Sequence, residues 1–357
     1  MTRMSEREFE AFQGFVLATK VYWSRDVFVN LRQTYGDILA KSKTNQSPGP
    51  ERVRKLLNGD TTNQFHGWFE RHLQRMKYSG HFGLVPFHNS RREELVEALD
   101  EPIANGLLEL DPSLPLPDYY TSVDVHQHPG GVWSDDIAGF VYERGARSTT
   151  PLLTRDRDLH ERFADLIQKK HANPNDILDM GCGFGKTTQP LCSVNRDAKI
   201  VGVDLSAPCL RVAARAATIS QTRNVHYAQR DAANTGYPDQ SFDVVTSTMM
   251  LHEMPADHVR AIITESLRLL RPNGLMIHLD FLPPDDEFLA YLHLGHSYRN
   301  NEPWMRSLAQ MDVGAEMASA GFNNINIELF EETPGALAEA GTKWRFPWTT
   351  IAARKPA

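Results

Sequence analysis

Between residues 176 and 281 the chain alternates short β-branched, apolar runs with segments of helical period. The runs are DILDMGC, KIVGVDL, NVHYAQRD, FDVVTSTMM and GLMIHLDF, with helices expected near 186–194, 207–218 and 256–270. Parallel neighbours in a sheet can be joined only by a crossover, usually a helix. Such alternation therefore predicts a parallel sheet with helices on both faces. Beyond it come a loop-rich insertion at 282–302, a helix near 304–320, and two strand candidates at 324–330 and around 346–353.

The first 110 residues have a different texture. Phe9, Phe12, Val16 and Trp23 recur at helical spacing, as do Phe65, Phe69, Leu73 and Met76, with a turn-forming break over 42–50. These aromatic faces are expected to pack a core or a homodimer, with a substrate wall as the alternative. The run DPSLPLPD at 111–118 holds three prolines in eight residues and cannot continue a helix. The 357 residues thus divide into an N-terminal helical domain (1–110), a connecting lid segment (111–154) and an α/β domain (155–357).

Charge narrows the partners. The 38 basic and 45 acidic residues leave a net charge of −7, and the acidity lies beyond residue 100, where 23 basic face 33 acidic side chains. That field repels a polyanion, so nucleic acid is not expected as a partner. No apolar leader and no run of 18 apolar residues occurs, so no membrane partner is expected. Cys182, Cys192 and Cys209 cluster in one region with no distant partner, which suits a reducing cytoplasm better than a disulfide framework.

The sharpest motif is Asp179-Met180-Gly181-Cys182-Gly183-Phe184-Gly185, which follows an apolar strand and opens a helix. Glycines let the backbone turn and approach a ligand, while the helix start offers free amides. The G-x-G-x-G spacing differs from the G-x-G-x-x-G of dinucleotide sites. Asp179 would oppose a pyrophosphate but accept bonds from an ammonium, and Asp204, ending the second strand, is placed to accept ribose hydroxyls. The ligand expected has an ammonium and a ribose but no phosphate.

Asp179, Gly181, Gly183, Gly185, Asp204 and Asp231 together resemble the class I S-adenosylmethionine-dependent methyltransferases, and the phrases FDVV and LRPNG match as well, although Asn273 stands where a glycine is usual. The resemblance implies a Rossmann-like seven-stranded sheet with an antiparallel last strand and S-adenosyl-L-methionine as cofactor. It also implies that Asp179 and the glycines hold the methionine part, Asp204 the ribose, and Asp231 with Ala232 the adenine, with Leu205 a further cofactor contact. Tyr142 and Arg147, upstream of the loop, are candidates for the methionine carboxylate.

Methyl transfer is an in-line displacement, so a chain like this must align the acceptor and, where it carries a proton, provide a base. Residues just after the fourth strand of the series face that space, and there stand His252 and Glu253, read as catalytic base and orienting acid. The Asn-Pro-Pro-aromatic signature of base and glutamine methylation is absent, so the acceptor expected is a small molecule. Candidate substrate contacts come from two segments: His126, His128, Trp133 and Asp136 in the lid, and His293, His296, Arg299 and Asn301 in the insertion. Asp280 and Glu302 belong to the same polar cluster. No metal is assigned; His252 and Glu253 with His293 or His296 would make a facial set, and His126 and His128 an HxH pair, but neither spacing is diagnostic. Alternative readings are a cyclase or aminocarboxypropyl-transferring enzyme on the same cofactor, a metal-assisted C-methyltransferase of an oxo acid, and a non-catalytic interaction protein.

Overall fold

The computed structural model describes residues 5–43, 46–148, 159–339 and 341–357. The expected boundary at 154/155 lies outside the described residues. Eight strands form one sheet: β1 (Leu108–Glu109), β2 (Asp176–Met180), β3 (Lys199–Asp204), β4 (Val225–Gln229), β5 (Phe242–Thr248), β6 (Leu270–Phe281), β7 (Asn323–Leu329) and β8 (Trp348–Arg354). Their order is β1-β4-β3-β2-β5-β6-β8-β7. All neighbouring pairs from β1 to β6 are parallel, and β8 runs antiparallel to both β6 and β7. The Rossmann-like expectation and its antiparallel last strand are thus met. The expected count of seven is corrected by β1, two residues paired through Leu108↔Tyr227 and Glu109↔Ala228. A strand of two residues has no alternation to read, so its pairing is decided by the sheet edge it meets.

Ile177, Leu178 and Met180 of β2, like Val244 and Val245 of β5, are wholly buried because helices cover both faces. Phe163, Ile167, Leu191, Leu210 and Ala213 fill one face. Met180, Val259, Ile262 and Met317 fill the other. The strand order reverses between β2 and β5, and the carboxyl ends of these strands open the crevice in which α/β sheets of this kind hold ligands.

Two expectations about helices are corrected. The segment 282–302 is not loop-rich: helix Glu287–Arg299 starts where Asp286 accepts the Leu289 amide at 2.9 Å. Its sequence shows no amphipathic period because it is enclosed on several sides; its Phe288 and Leu292 pack into the N-terminal core of Trp23, Phe28, Leu31 and Trp344. The helix expected over 304–320 is two, Met305–Ala309 and Val313–Ala320, the second capped by Asp312 on the Ala315 amide at 2.9 Å.

The N-terminal region is helical, with Glu6–Tyr22 and Phe28–Lys41 joined through a π-helical turn at Trp23–Val27. In helix Thr61–Tyr78 the buried face is His66, Glu70, Leu73, Gln74, Lys77 and Tyr78. Of the expected stripe, Leu73 is buried in the N-terminal core and Phe69 packs against it, whereas Phe65 is 45% exposed and stacks on Phe69 beside Trp68, 55% exposed. Among the described residues, no helix is long and apolar enough to cross a membrane.

Candidate functional site

The crevice is a cavity of about 250 Å³ bounded by the glycine loop, the turn after β5, the segment around 119–133 and the helices Thr61–Tyr78 and Glu287–Arg299. On the β2 side, Gly181, Gly183 and Gly185 all take the left-handed conformation, at φ of 63°, 53° and 84°. A Cβ on Gly181 would stand 2.6 Å from the Met250 sulfur, and one on Gly185 2.7 Å from the Tyr227 hydroxyl. The loop is tied to β3 by the Gly183 amide, which donates to Asp204 Oδ2 at 2.8 Å, while Asp204 Oδ1 accepts the Ser206 amide at 2.7 Å. Asp179 is buried and accepts a hydrogen bond from the Thr188 hydroxyl at 2.6 Å. Burial, reinforced by the charge of Asp204 and only partly opposed by Thr188, pushes the Asp179 carboxyl up to about 7. An ammonium beside it would hold it ionised, and this buried acid together with the open glycine cradle fits the aminoacyl part of S-adenosylmethionine.

Across the cavity, β5 and β6 are parallel neighbours, so the residues at their carboxyl ends meet. His252, in the 3-10 turn Leu251–Glu253, places Nδ1 2.6 Å from Asp280 Oδ1. Asp280 is completely buried and also accepts the amides of Met250, Leu251 and Phe281. This fixes the carboxylate and, through it, leaves His252 Nε2 aimed at Glu253 Oε1, 3.3 Å away. His126 Nε2, delivered by the connecting segment 111–148, reaches the same Glu253 oxygen at 3.0 Å and lies 3.6 Å from Glu302 Oε1. Burial alone would lower the His252 pKa; Asp280 and Glu253 outweigh it and hold the imidazole well above its ordinary value. Glu253 is driven the opposite way by His126 and His252 despite its burial, whereas burial and the neighbouring Glu253 charge raise Glu302.

Of the predicted cofactor residues, Asp179, Gly181, Gly183, Asp204 and Tyr142 line the cavity. Tyr142 lies parallel to His126 at 6.1 Å and edge-on to Phe184 at 5.6 Å. Gly185 does not line the cavity and packs against the Tyr227 hydroxyl, and Leu205 gives its carbonyl to Gln229. Asp231 accepts the Ala233 amide at 2.8 Å and is not part of the wall; Ala232 packs on the apolar core beneath β4 and β5. Arg147 is outside the cavity wall.

Among the predicted substrate contacts, His126, Trp133 and His296 line the cavity. His128 is buried behind it, stacked on Tyr78 at 4.9 Å, and Asp136 does not reach the wall. His293 is buried with both ring nitrogens unpartnered, Asn301 donates to the Asp124 carbonyl, and the Arg299 guanidinium is committed to buried Glu70, which also binds His296. Arg299 is therefore not free for a substrate carboxylate. The wall also holds Lys20, Gln74, Lys77 and Tyr78, four N-terminal residues that the sequence pattern does not single out. A signal for three of them exists: Gln74, Lys77 and Tyr78 share a helix face with Leu73, but reading only apolar residues hides a polar pocket face.

Residues 177–274 match the family model described as a methyltransferase domain. A demethylmenaquinone methyltransferase of Lactiplantibacillus plantarum is 27% identical over 204 residues, covering 52% of this chain and 85% of that protein. A 27-O-demethylrifamycin SV methyltransferase of Amycolatopsis mediterranei is 36% identical over 153 residues, 42% of this chain and 53% of that one. The solved structure of Haemonchus contortus phosphoethanolamine N-methyltransferase 2 in complex with S-adenosyl-L-methionine overlaps 55% of this chain and 53% of its own at 18% identity and a TM-score of 0.43.

Proposed function

Since the chain carries a methyltransferase domain of the class I S-adenosylmethionine-dependent family, we propose that it methylates a small organic acceptor held between the glycine loop and the His252–Asp280 pair. The observation that carries this reading is the continuous cavity running from Asp179 and Asp204 to His252 and Glu253. The relatives named for demethylmenaquinone and demethylrifamycin support an acceptor of that size class. The net charge of −7 disfavours a polyanion.

Asp179 receives the ammonium and Asp204 the ribose, while the glycine loop admits the backbone-close approach that both need. Bound there, the cofactor supplies a methyl group on a sulfonium sulfur. Asp280 fixes the His252 tautomer with Nε2 toward the cavity; because Asp280 and Glu253 raise its pKa, the neutral form that can take the acceptor's proton gains as pH rises. Lys20, on the wall, is brought down to about 8 by burial, with Glu70 and Glu302 opposing.

Titration calorimetry with S-adenosylhomocysteine tests the assignment. Asp204→Ala is expected to weaken binding at least about tenfold, the scale of losing charge-assisted hydrogen bonds of about 1.5–3 kcal/mol. His252→Ala is expected to keep that affinity while turnover falls about 100-fold or more, the usual worth of a general base. Wild-type protein that ignores S-adenosylhomocysteine would end the reading, and full turnover in His252→Ala would remove the base.

A further inference from the structure

Four ligand-type side chains converge in the cavity. One donor atom each from His126, His252, Glu253 and Glu302 can be chosen so that all lie within 4.8 Å of one another. We infer that this cluster is a binding site for one first-row divalent cation of the zinc, iron or manganese type.

The geometry is that of a ligand set rather than of a closed hydrogen-bond network. Glu302 Oε1 stands 3.6 Å from His126 Nε2 and 3.8 Å from His296 Nε2, beyond hydrogen-bonding reach of either, and its carboxylate is buried. Glu253 Oε2 is a buried oxygen with no partner. Two carboxylates facing one another in a low-dielectric pocket repel, and a divalent cation neutralises both at once.

The outer contacts are those a metal site requires. His252 turns its far nitrogen to Asp280 at 2.6 Å, the carboxylate–histidine arrangement that orients a ligating imidazole. Backbone strain is spent at the same place: His126 and its neighbour Gln127 have φ of 58° and 56°, and Met249 and Asn301, close in sequence to the other three ligands, have 55° and 58°. Two imidazoles and two carboxylates suit borderline first-row cations better than calcium or magnesium, which prefer oxygen alone.

Cation binding stands apart from the methyltransferase reading, whereas the acceptor class it favours rests on that reading. A cation here faces the cavity, so the favoured acceptor presents an ionisable or chelating oxygen. In the loaded site His252 Nε2 is a ligand, and its role as base belongs to the metal-free chain.

The full chain, stripped with chelator, is titrated with Zn²⁺ and with Mn²⁺, with stoichiometry followed by calorimetry and, for Mn²⁺, by electron paramagnetic resonance. One equivalent per chain is expected, at least about tenfold weaker in Glu302→Gln and in His126→Asn, with S-adenosylhomocysteine affinity unchanged in both. Should Glu302→Gln fail to fold by circular dichroism, His126→Asn decides alone. Wild type without stoichiometric binding, or wild-type metal affinity in the folded variants, overturns the site. Stoichiometric metal binding by a chain that ignores S-adenosylhomocysteine keeps the site and removes the methyltransferase reading instead.

Discussion

Gly185 holds φ at 84° with the Tyr227 hydroxyl 2.7 Å from where a Cβ would sit. Replacing it by alanine costs about 1 kcal/mol for the left-handed conformation and about 1–3 kcal/mol for displacing a ring packed in the core. Gly185→Ala is therefore expected to lower the urea midpoint by the equivalent of about 2–4 kcal/mol, and an unchanged midpoint would show that Tyr227 yields freely. Gly181 and Gly183 can be recognised in the sequence because the need for positive φ and close approach is local. Asp280 is a different case. Its role is set by β6 lying beside β5, so that three amides and His252 converge on one carboxylate. Sequence places it 28 residues from its histidine and gives no reason to join them.

Helices Thr61–Tyr78 and Glu287–Arg299 are pinned together by one buried carboxylate. Glu70 accepts from Arg299, His296 and Asn300, and although its burial would raise its pKa, Arg299 and His296 bring it far below the carboxylate range. Glu70→Ala leaves the Arg299 charge without a counter-ion in a site with little water. A loss of about 3–5 kcal/mol is expected in denaturant unfolding. The double variant Glu70→Leu with Arg299→Met is expected to recover most of it, since an apolar pair removes both desolvated charges. Equal losses in the single and double variants would show that packing, not charge pairing, joins the helices. The helix at 287–299 is hard to read from sequence for the same reason that it matters: it is gripped by the N-terminal core on one side and by a polar cluster around Glu70 on another, so no single stripe of its surface is apolar.

Across the molecule, the buried histidines set the response to acid. Burial lowers His66 and His278 to about 4 and His293 to about 3, against 6.5 for a free imidazole. Below pH 6.5 the unfolded chain binds protons at these sites that the folded chain refuses, so stability falls as pH drops from 6.5 toward 4. Asp179, raised to about 7, works in the opposite sense over the same range, as do the raised Asp204 and Glu302, while His128, lowered to about 3, adds to the loss. Glu287, held at about 2 chiefly by its hydrogen bond to Arg52, adds a loss between about pH 4.5 and 2. His126 and His252, both held above 6.5, are protonated in folded and unfolded chains alike below that pH and add no slope there. Urea midpoints measured at about pH 6.5, 5.5 and 4.5 are expected to decline in that order. A flat series would mean that these imidazoles gain protons without unfolding.

The parallel sheet and the glycine loop were legible in the amino-acid order alone, because strand period, glycine requirement and strand-end acids act over a few residues. The same order marks His252, Glu253 and His126 as polar groups of interest, each within its own segment. Their convergence is a product of packing: with Glu302 they face one point within 4.8 Å, Asp280 stands behind His252, and Arg299 is committed to Glu70. Those relations join residues far apart along the chain. They are fixed by which helices pack over the crevice, and no local pattern of apolar and polar residues encodes that choice.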